Sequence, residues 1–212
     1  MKRRLGIFFT VILSAALLAG CGSKNTEGDA EGSSSAESSS TSTSEQSSNL
    51  HHVEIKVKDY GNIKVELDED AAPITVENFM NLAEEGFYDG LTFHRIIDSF
   101  MIQGGDPLGN GTGGSDKNIK GEFSSNGVEN DISHVRGTIS MARSQAKDSA
   151  SSQFFIVQKD STNLDGEYAG FGSVTEGMEI VDQICKDAQV EDSNGTVLAE
   201  NQPVIETITV ID

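Results

Sequence analysis

Two short segments of this chain alternate strictly between apolar and polar residues: Val53-Glu54-Ile55-Lys56-Val57 and Ile63-Lys64-Val65-Glu66-Leu67. Strand side chains point to opposite faces with a period of two, so each segment reads as a β-strand with one apolar and one polar face. Asp59-Tyr60-Gly61-Asn62 lies between them and has turn chemistry, so the three pieces predict a β-hairpin. Strands with one polar face belong to antiparallel sheets and barrels.

The remaining periodicity extends that reading. Pro73 opens a helical pattern, with the first turn tolerating its missing N–H. Val76, Phe79, Leu82 and Ala83 recur on one face through Glu84, and Gly86 stops the helix. A second helix is expected over 176–184, striped by Met178, Val181 and Ile184 and capped by Thr175. Short apolar strands are expected at 91–96, 101–104, 137–141, 153–157 and 170–174. An alternating last strand at 204–211 is expected to pair back with the N-terminal hairpin. Many short strands with glycine-rich turns predict a mainly β fold, a closed or nearly closed antiparallel sheet with two helices over its ends.

The N-terminal fifty residues follow different rules. Lys2, Arg3 and Arg4 precede an apolar run over 5–18, shorter than the roughly 20 residues a spanning helix needs. Residues 1–20 therefore read as a signal peptide. Leu18-Ala19-Gly20-Cys21 resembles the lipobox of bacterial lipoproteins, in which the cysteine is acylated and becomes the mature N-terminus; the other reading is an ordinary secretory signal with a chance cysteine. From Gly22 to Asn49 the composition is Ser, Thr, Gly, Glu and Asp, too polar to offset the entropy of ordering. The organisation expected is a signal peptide at 1–20, a lipidated Cys21 with a disordered tether at 21–49, and one folded domain at 50–212. The domain would lie on the extracytoplasmic side of the cell membrane, held there by its lipid. With Cys21 lipidated, Cys185 has no intrachain partner, and its apolar surroundings read as core rather than nucleophile.

Several function classes drop out. The net charge of −19 opposes nucleic acid and anionic headgroups as partners. No His-Glu-x-x-His or Cys-x-x-Cys supplies metal ligands, and no Gly-x-Ser-x-Gly elbow supplies a nucleophile. The glycines of 104–114 are followed by Ser115-Asp116 rather than the Lys and Ser or Thr of a phosphate loop. No metal and no cofactor is expected.

What remains is an arginine in apolar company, in Phe93-His94-Arg95-Ile96-Ile97. A group that is always charged costs free energy among such neighbours unless a structural or a catalytic role uses it. Period two puts Phe93, Arg95 and Ile97 on one face of a strand and His94 and Ile96 on the other. Phe100, Met101 and Gln103 follow a short turn. In Gln153-Phe154-Phe155 the two rings have opposite parity, with Phe154 the core candidate.

Read together, FHRIIDSFMIQGGD at 93–106, GTISMAR at 137–143, SSQFFIV at 151–157, NLDGEYAGFG at 163–172 and VTEGMEIVDQI at 174–184 resemble the cyclophilin family of peptidyl-prolyl cis/trans isomerases, in a bacterial lipoprotein form. The motifs occur in family order and cover essentially all of the chain after the tether. The resemblance implies a closed eight-stranded antiparallel barrel capped by two helices. It implies Arg95 as the catalytic arginine and Gln103 as the glutamine that binds the substrate backbone. Phe100, Met101, Phe155 and Leu164 would form the proline pocket, with Phe100 counted in the catalytic set. Gln153 would line the groove, Ala142 and Arg143 would flank the passing peptide, and Tyr168 would form one wall. Asn163 and Tyr168 stand where eukaryotic members often have tryptophan and histidine, which implies an altered sequence preference and the loss of an indole donor to cyclic-peptide inhibitors. The implied partners are unfolded or partly folded exported proteins with X-Pro bonds, met by a monomer; the alternative is a proline-binding chaperone module without turnover. Gly104 and Gly105 would let the groove backbone approach its peptide.

Overall fold

The computed structural model describes residues 49–212; the signal peptide, Cys21 and nearly all of the tether lie outside the described residues. The chain runs β1 (Leu50–Val57), β2 (Gly61–Asp68), α1 (Pro73–Glu84), β3 (Phe93–Ile97), β4 (Met101–Gly104), β5 (Thr138–Met141), β6 (Phe154–Val157), β7 (Gly170–Glu176), α2 (Met178–Asp187) and β8 (Ile205–Val210). The strands form one sheet in the order β3-β4-β6-β5-β7-β2-β1-β8, antiparallel at every neighbouring pair. The eight-stranded antiparallel fold with two helices is therefore the one that forms, and β8 pairs with β1 as the alternation predicts. The curled sheet meets itself through loops rather than a ladder between β3 and β8. Phe93 N donates to Pro203 O at 2.9 Å and Ile205 N to Leu91 O at 2.7 Å, around a Thr92–Val204 bridge.

The hairpin keeps the parity of its sequence. Val53 faces Val65 and Ile55 faces Ile63, and these four with Val57 and Leu67 are buried in the core. The helical stripe Val76, Phe79, Leu82 and Ala83 closes over them. Phe79 meets the Phe154 ring edge-on at 5.4 Å, an arrangement favoured by the aromatic quadrupoles. Full burial of one such ring contributes about 1.5–3 kcal/mol. Pro73 starts α1, but residue 72 is alanine and cannot cap it. The cap comes from Glu122, whose buried carboxylate accepts Ile74 N at 3.0 Å and Thr75 N at 2.8 Å, placing negative charge at the positive end of the helix.

Four sequence expectations are corrected. Thr175 does not cap α2: it belongs to β7, and its Oγ1 donates to Lys64 O at 3.3 Å. The helix starts two residues later than expected, at Met178, because Glu176 still pairs with Lys64 and Gly177 makes the turn at φ 97°. A side chain at 177 would press its Cβ to 2.7 Å from Asn62 O. Phe93 does not share a face with Arg95. The β3–β4 register shifts between them, pairing Phe93 with Gly104 and Arg95 with Gln103, so His94 is an extra residue. This bulge turns Phe93 into the barrel core with Ile96, while Ile97 joins the outer wall. Gly104 and Gly105 serve internal packing instead of a peptide's approach: a Cβ on Gly104 would lie 2.7 Å from Thr92 O, and one on Gly105 2.6 Å from Ser152 O.

Candidate active site

The outer wall over β3, β4 and β6 carries a second apolar cluster, separate from the core. Met101, Phe155 and Val157 are buried in it, and Ile97, Phe100, Ala142, Leu164 and Tyr168 pack partly exposed around them. Strand parity makes the split: Phe154 points into the barrel and Phe155 out of it. A cavity of about 440 Å³ opens here, lined by Arg95, Phe100, Met101, Gln103, Ala142, Arg143, Phe155, Leu164 and Tyr168. Gln153 lines an adjoining cavity of about 320 Å³, which shares Gln103, Gly111, Ala142 and Arg143 with the first.

Arg95 is the charged group of the larger cavity that lacks a counterion. Arg136 and Arg143 pair with Asp182 and Glu167, whereas Arg95 has no carboxylate in ion-pair contact among the described residues. Neutral oxygens hold it. Nε donates to Asn194 O at 2.9 Å, Nη2 to Asn194 Oδ1 at 3.3 Å, and Nη1 to Gln103 Oε1 at 3.1 Å. A guanidinium has five N–H groups, so two are left for a ligand. Burial pushes its pKa below the usual arginine value, with Tyr168 and Asp192 pulling the other way. It starts so high that the group stays charged.

Gln103 faces Arg95 across the ladder and passes the orientation on. Its Nε2 donates to Gln153 Oε1 at 2.9 Å, and Gln153 Nε2 donates to Gly113 O at 2.8 Å. Both amides are thereby fixed between the arginine and the glycine-rich loop. That loop winds around Asp106, whose carboxylate accepts Leu108 N at 2.8 Å, Asn110 N at 3.1 Å and Gly111 N at 2.6 Å. Burial alone would raise the Asp106 pKa, but these backbone donors outweigh it and leave the group below its ordinary value. Arg143 works within the wall. It donates to Glu167 O from Nε at 3.0 Å and from Nη2 at 2.8 Å, and its guanidinium carbon lies 5.0 Å from the Phe123 ring centre and 4.7 Å from that of Tyr168. Tyr168 in turn meets Phe155 edge-on at 5.9 Å.

The structure adds residues that sequence reasoning missed. Asn110, Gly111, His94, Asn194 and Thr196 also line the cavity. His94, the bulge residue, is buried with neither ring nitrogen bonded among the described residues, and burial pushes its pKa below the ordinary histidine value. Asn194 arrives on a short ribbon beside β3, where Ile96 N donates to Gly195 O at 2.8 Å and Val197 N to His94 O at 3.1 Å. Asp192-Ser193-Asn194-Gly195 is visible in the sequence as a turn, but no local pattern ties it to an arginine 99 positions away. Asn163 is exposed and lines neither cavity. Burial pushes the Cys185 thiol up to about 12, which removes it as a nucleophile.

The site is thus an apolar cup on the outer wall of an antiparallel barrel, beside an arginine with spare donors. The chain belongs to the cyclophilin-type peptidyl-prolyl cis-trans isomerases, a family of enzymes: the family model described as cyclophilin type peptidyl-prolyl cis-trans isomerase/CLD matches residues 52–210. The peptidyl-prolyl cis-trans isomerase B of Bacillus subtilis is 45% identical over 144 residues, covering 68% of this chain and 92% of that protein. A Helicobacter pylori peptidyl-prolyl cis-trans isomerase is 48% identical over 126 residues, covering 58% of this chain and 74% of its own. Among solved structures, a Cryptosporidium parvum cyclophilin-type isomerase superposes with a TM-score of 0.68 at 29% identity, over 77% of this chain and 98% of its own. The same protein solved in the presence of the dipeptide Ala-Pro gives 0.67 at 30% identity, over 76% and 99%.

Proposed function

We propose that this protein accelerates cis/trans exchange of X-Pro bonds in exported polypeptides, with Arg95 stabilising the twisted amide. The observation that carries the reading is the Arg95 guanidinium: half-buried, charged, without a carboxylate partner among the described residues, and with spare donors beside an apolar cavity. The X-Pro isomers differ by only about 0.5–1 kcal/mol, while the barrier between them is about 20 kcal/mol, so the task is kinetic. No bond breaks, and neither nucleophile nor acid is needed. At the twisted midpoint the amide nitrogen loses conjugation and regains a lone pair. A guanidinium N–H donates to that nitrogen, whereas a planar amide nitrogen accepts poorly, so the bond strengthens only in the transition state. Phe100, Met101, Phe155 and Leu164 hold the proline ring and exclude water, which strengthens the contact. Gln103 binds the flanking peptide backbone, Gln153 lines the groove, and Ala142 and Arg143 flank the peptide's path. An acceleration of about 10⁵ corresponds to about 7 kcal/mol.

The relatives named as isomerases and the neighbour solved with Ala-Pro support the same substrate class. The proposal extends to location: residues 1–20 are removed as a signal peptide, Cys21 is acylated, and residues up to 49 tether a monomeric domain outside the membrane. Two acyl chains add about 0.8 kcal/mol per buried methylene, enough for stable anchoring. The direct test of the catalytic reading is NMR exchange of an X-Pro peptide with wild type and Arg95→Ala, with circular dichroism as the folding control. Wild-type acceleration that is mostly lost in the variant is expected; equal rates would sink the mechanism.

A further inference from the structure

Phe155 lines the cavity, but what fixes its ring does not. His134 is wholly buried and stacks on Phe155 with ring centres 6.0 Å apart and planes 18° apart. Both imidazole nitrogens are held: Nδ1 lies 2.9 Å from Asp165 Oδ1 and Nε2 lies 3.0 Å from Ser140 Oγ. A carboxylate only accepts, so Nδ1 carries the hydrogen and, in the neutral ring, Nε2 accepts from the Ser140 hydroxyl. Desolvation pushes the His134 pKa below its ordinary value, against the pull of Asp165, which favours this neutral form.

Serine, histidine and aspartate stand here in the bonding order of a hydrolase triad. Ser140 and His134 are both fully buried, so no substrate atom reaches the hydroxyl. The relay can only orient. Asp165 follows the cavity residue Leu164, and its carboxylate also accepts His134 N at 2.7 Å and Ser133 Oγ at 2.7 Å, while Ser161 N donates to His134 O at 2.7 Å. One carboxylate thus ties the imidazole plane to the loop that supplies Leu164.

We propose that His134 is a positioning residue of the isomerase: held in plane by Asp165 and Ser140, it sets the Phe155 ring so that the proline cup has its shape before substrate arrives. The proposal rests on the isomerase reading above. The Phe155 wall grips the proline ring in the cis, trans and twisted states alike, so loosening it removes uniform binding and raises KM. Loss of the Arg95 donor, by contrast, lowers kcat.

The test uses the full-length protein as wild type, His134→Gln, Asp165→Ala and Asp165→Asn, each assayed well below its measured Tm. Peptide exchange gives kcat and KM for an Ala-Pro peptide, and ¹³C-labelled phenylalanine reports the Phe155 ring. His134→Gln and Asp165→Ala are expected to raise KM about tenfold, the scale of a misplaced apolar contact, with kcat changed less than about threefold and the Phe155 signals shifted. Asp165→Asn still accepts from both N–H groups of His134 and should recover the wild-type KM. A folded His134→Gln protein with wild-type KM and unmoved Phe155 signals overturns the proposal, however far its Tm falls. If His134→Gln does not fold, the two Asp165 variants carry the same readouts and decide it. A wild type without exchange activity refutes the isomerase reading separately, and the Phe155 signals then decide the positioning role by themselves.

Discussion

The inner and outer faces of β3, β4 and β6 are built from adjacent residues and do opposite work. Phe154 and Phe155 are neighbours in sequence and both are buried, yet Phe154 packs against Phe79, Tyr88 and Phe93 inside the barrel while Phe155 belongs to the outer cluster and has the rings of His134 and Tyr168 beside it. The inner face is apolar and closed. The outer face has the same kind of apolar groups interleaved with Arg95, Gln103 and Gln153, each tied by side-chain hydrogen bonds. Burial by itself therefore does not separate core from site in this molecule. The polar groups among the rings do, because each costs stability that the inner face does not give up.

The sharpest way to break this comparison is to exchange its two halves. Phe154→Ala should cost about 3–5 kcal/mol in denaturant unfolding, since it opens a cavity in a closed aromatic cluster. Phe155→Ala should cost less stability, because its cluster borders solvent, and should instead raise KM for an X-Pro peptide; equal losses from both would erase the distinction. Next in size is Arg95→Ala, expected to lower kcat about 10²–10³-fold, the usual loss for one preorganised donor, while chemical denaturation stays near wild type. Arg95→Lys should fail to restore activity, as an ammonium cannot reach Asn194, Gln103 and the substrate as one planar fork.

Acid should act on the outer face first. His94 and His134 both have pKa values lowered by burial, so below the ordinary value of 6.5 the unfolded chain takes up protons that the folded one refuses. Stability should be complete above pH 6.5 and fall as the pH drops through the window below it, seen as a declining Tm. His51 behaves in the reverse sense. Hydrogen bonds to Asp212 and Glu69 raise its pKa, so its contribution is present below 6.5 and fades as the pH climbs past that value. It is exposed enough that this is the smallest of the expected effects, measurable as the difference between the Tm–pH curves of wild type and His51→Gln. A Tm that is flat below pH 6.5 would show that the outer-face histidines are not held neutral.

Local sequence was a good guide wherever one element sufficed. The hairpin parity of Val53 to Leu67, the stripe of α1 and the opposite facing of Phe154 and Phe155 follow from period alone. The site was legible to the extent that β3, its turn and β4 lie within fourteen consecutive residues, and Phe100, Met101 and Gln103 fall beside Arg95 in the structure as they do in the chain. Period two failed at His94, because a bulge adds one residue to one strand and nothing in a single strand's own sequence counts the residues of its partner. Asn194, His134 and Asp165 were not legible as parts of the site, since their signals are those of ordinary turns and loops.

The sequence by itself determined which side chains face inward along the β1–β2 hairpin and β6, where α1 begins, and that one arginine would stand among apolar groups, because these depend on backbone period and residue chemistry over a few positions. The tertiary structure alone decided that Glu122 caps α1, that Asn194 and Gln103 hold Arg95 in place of a carboxylate, and that Asp165 and Ser140 lock His134 beneath Phe155. Each of these is a bond between distant segments whose meeting depends on register and on how the curled sheet closes.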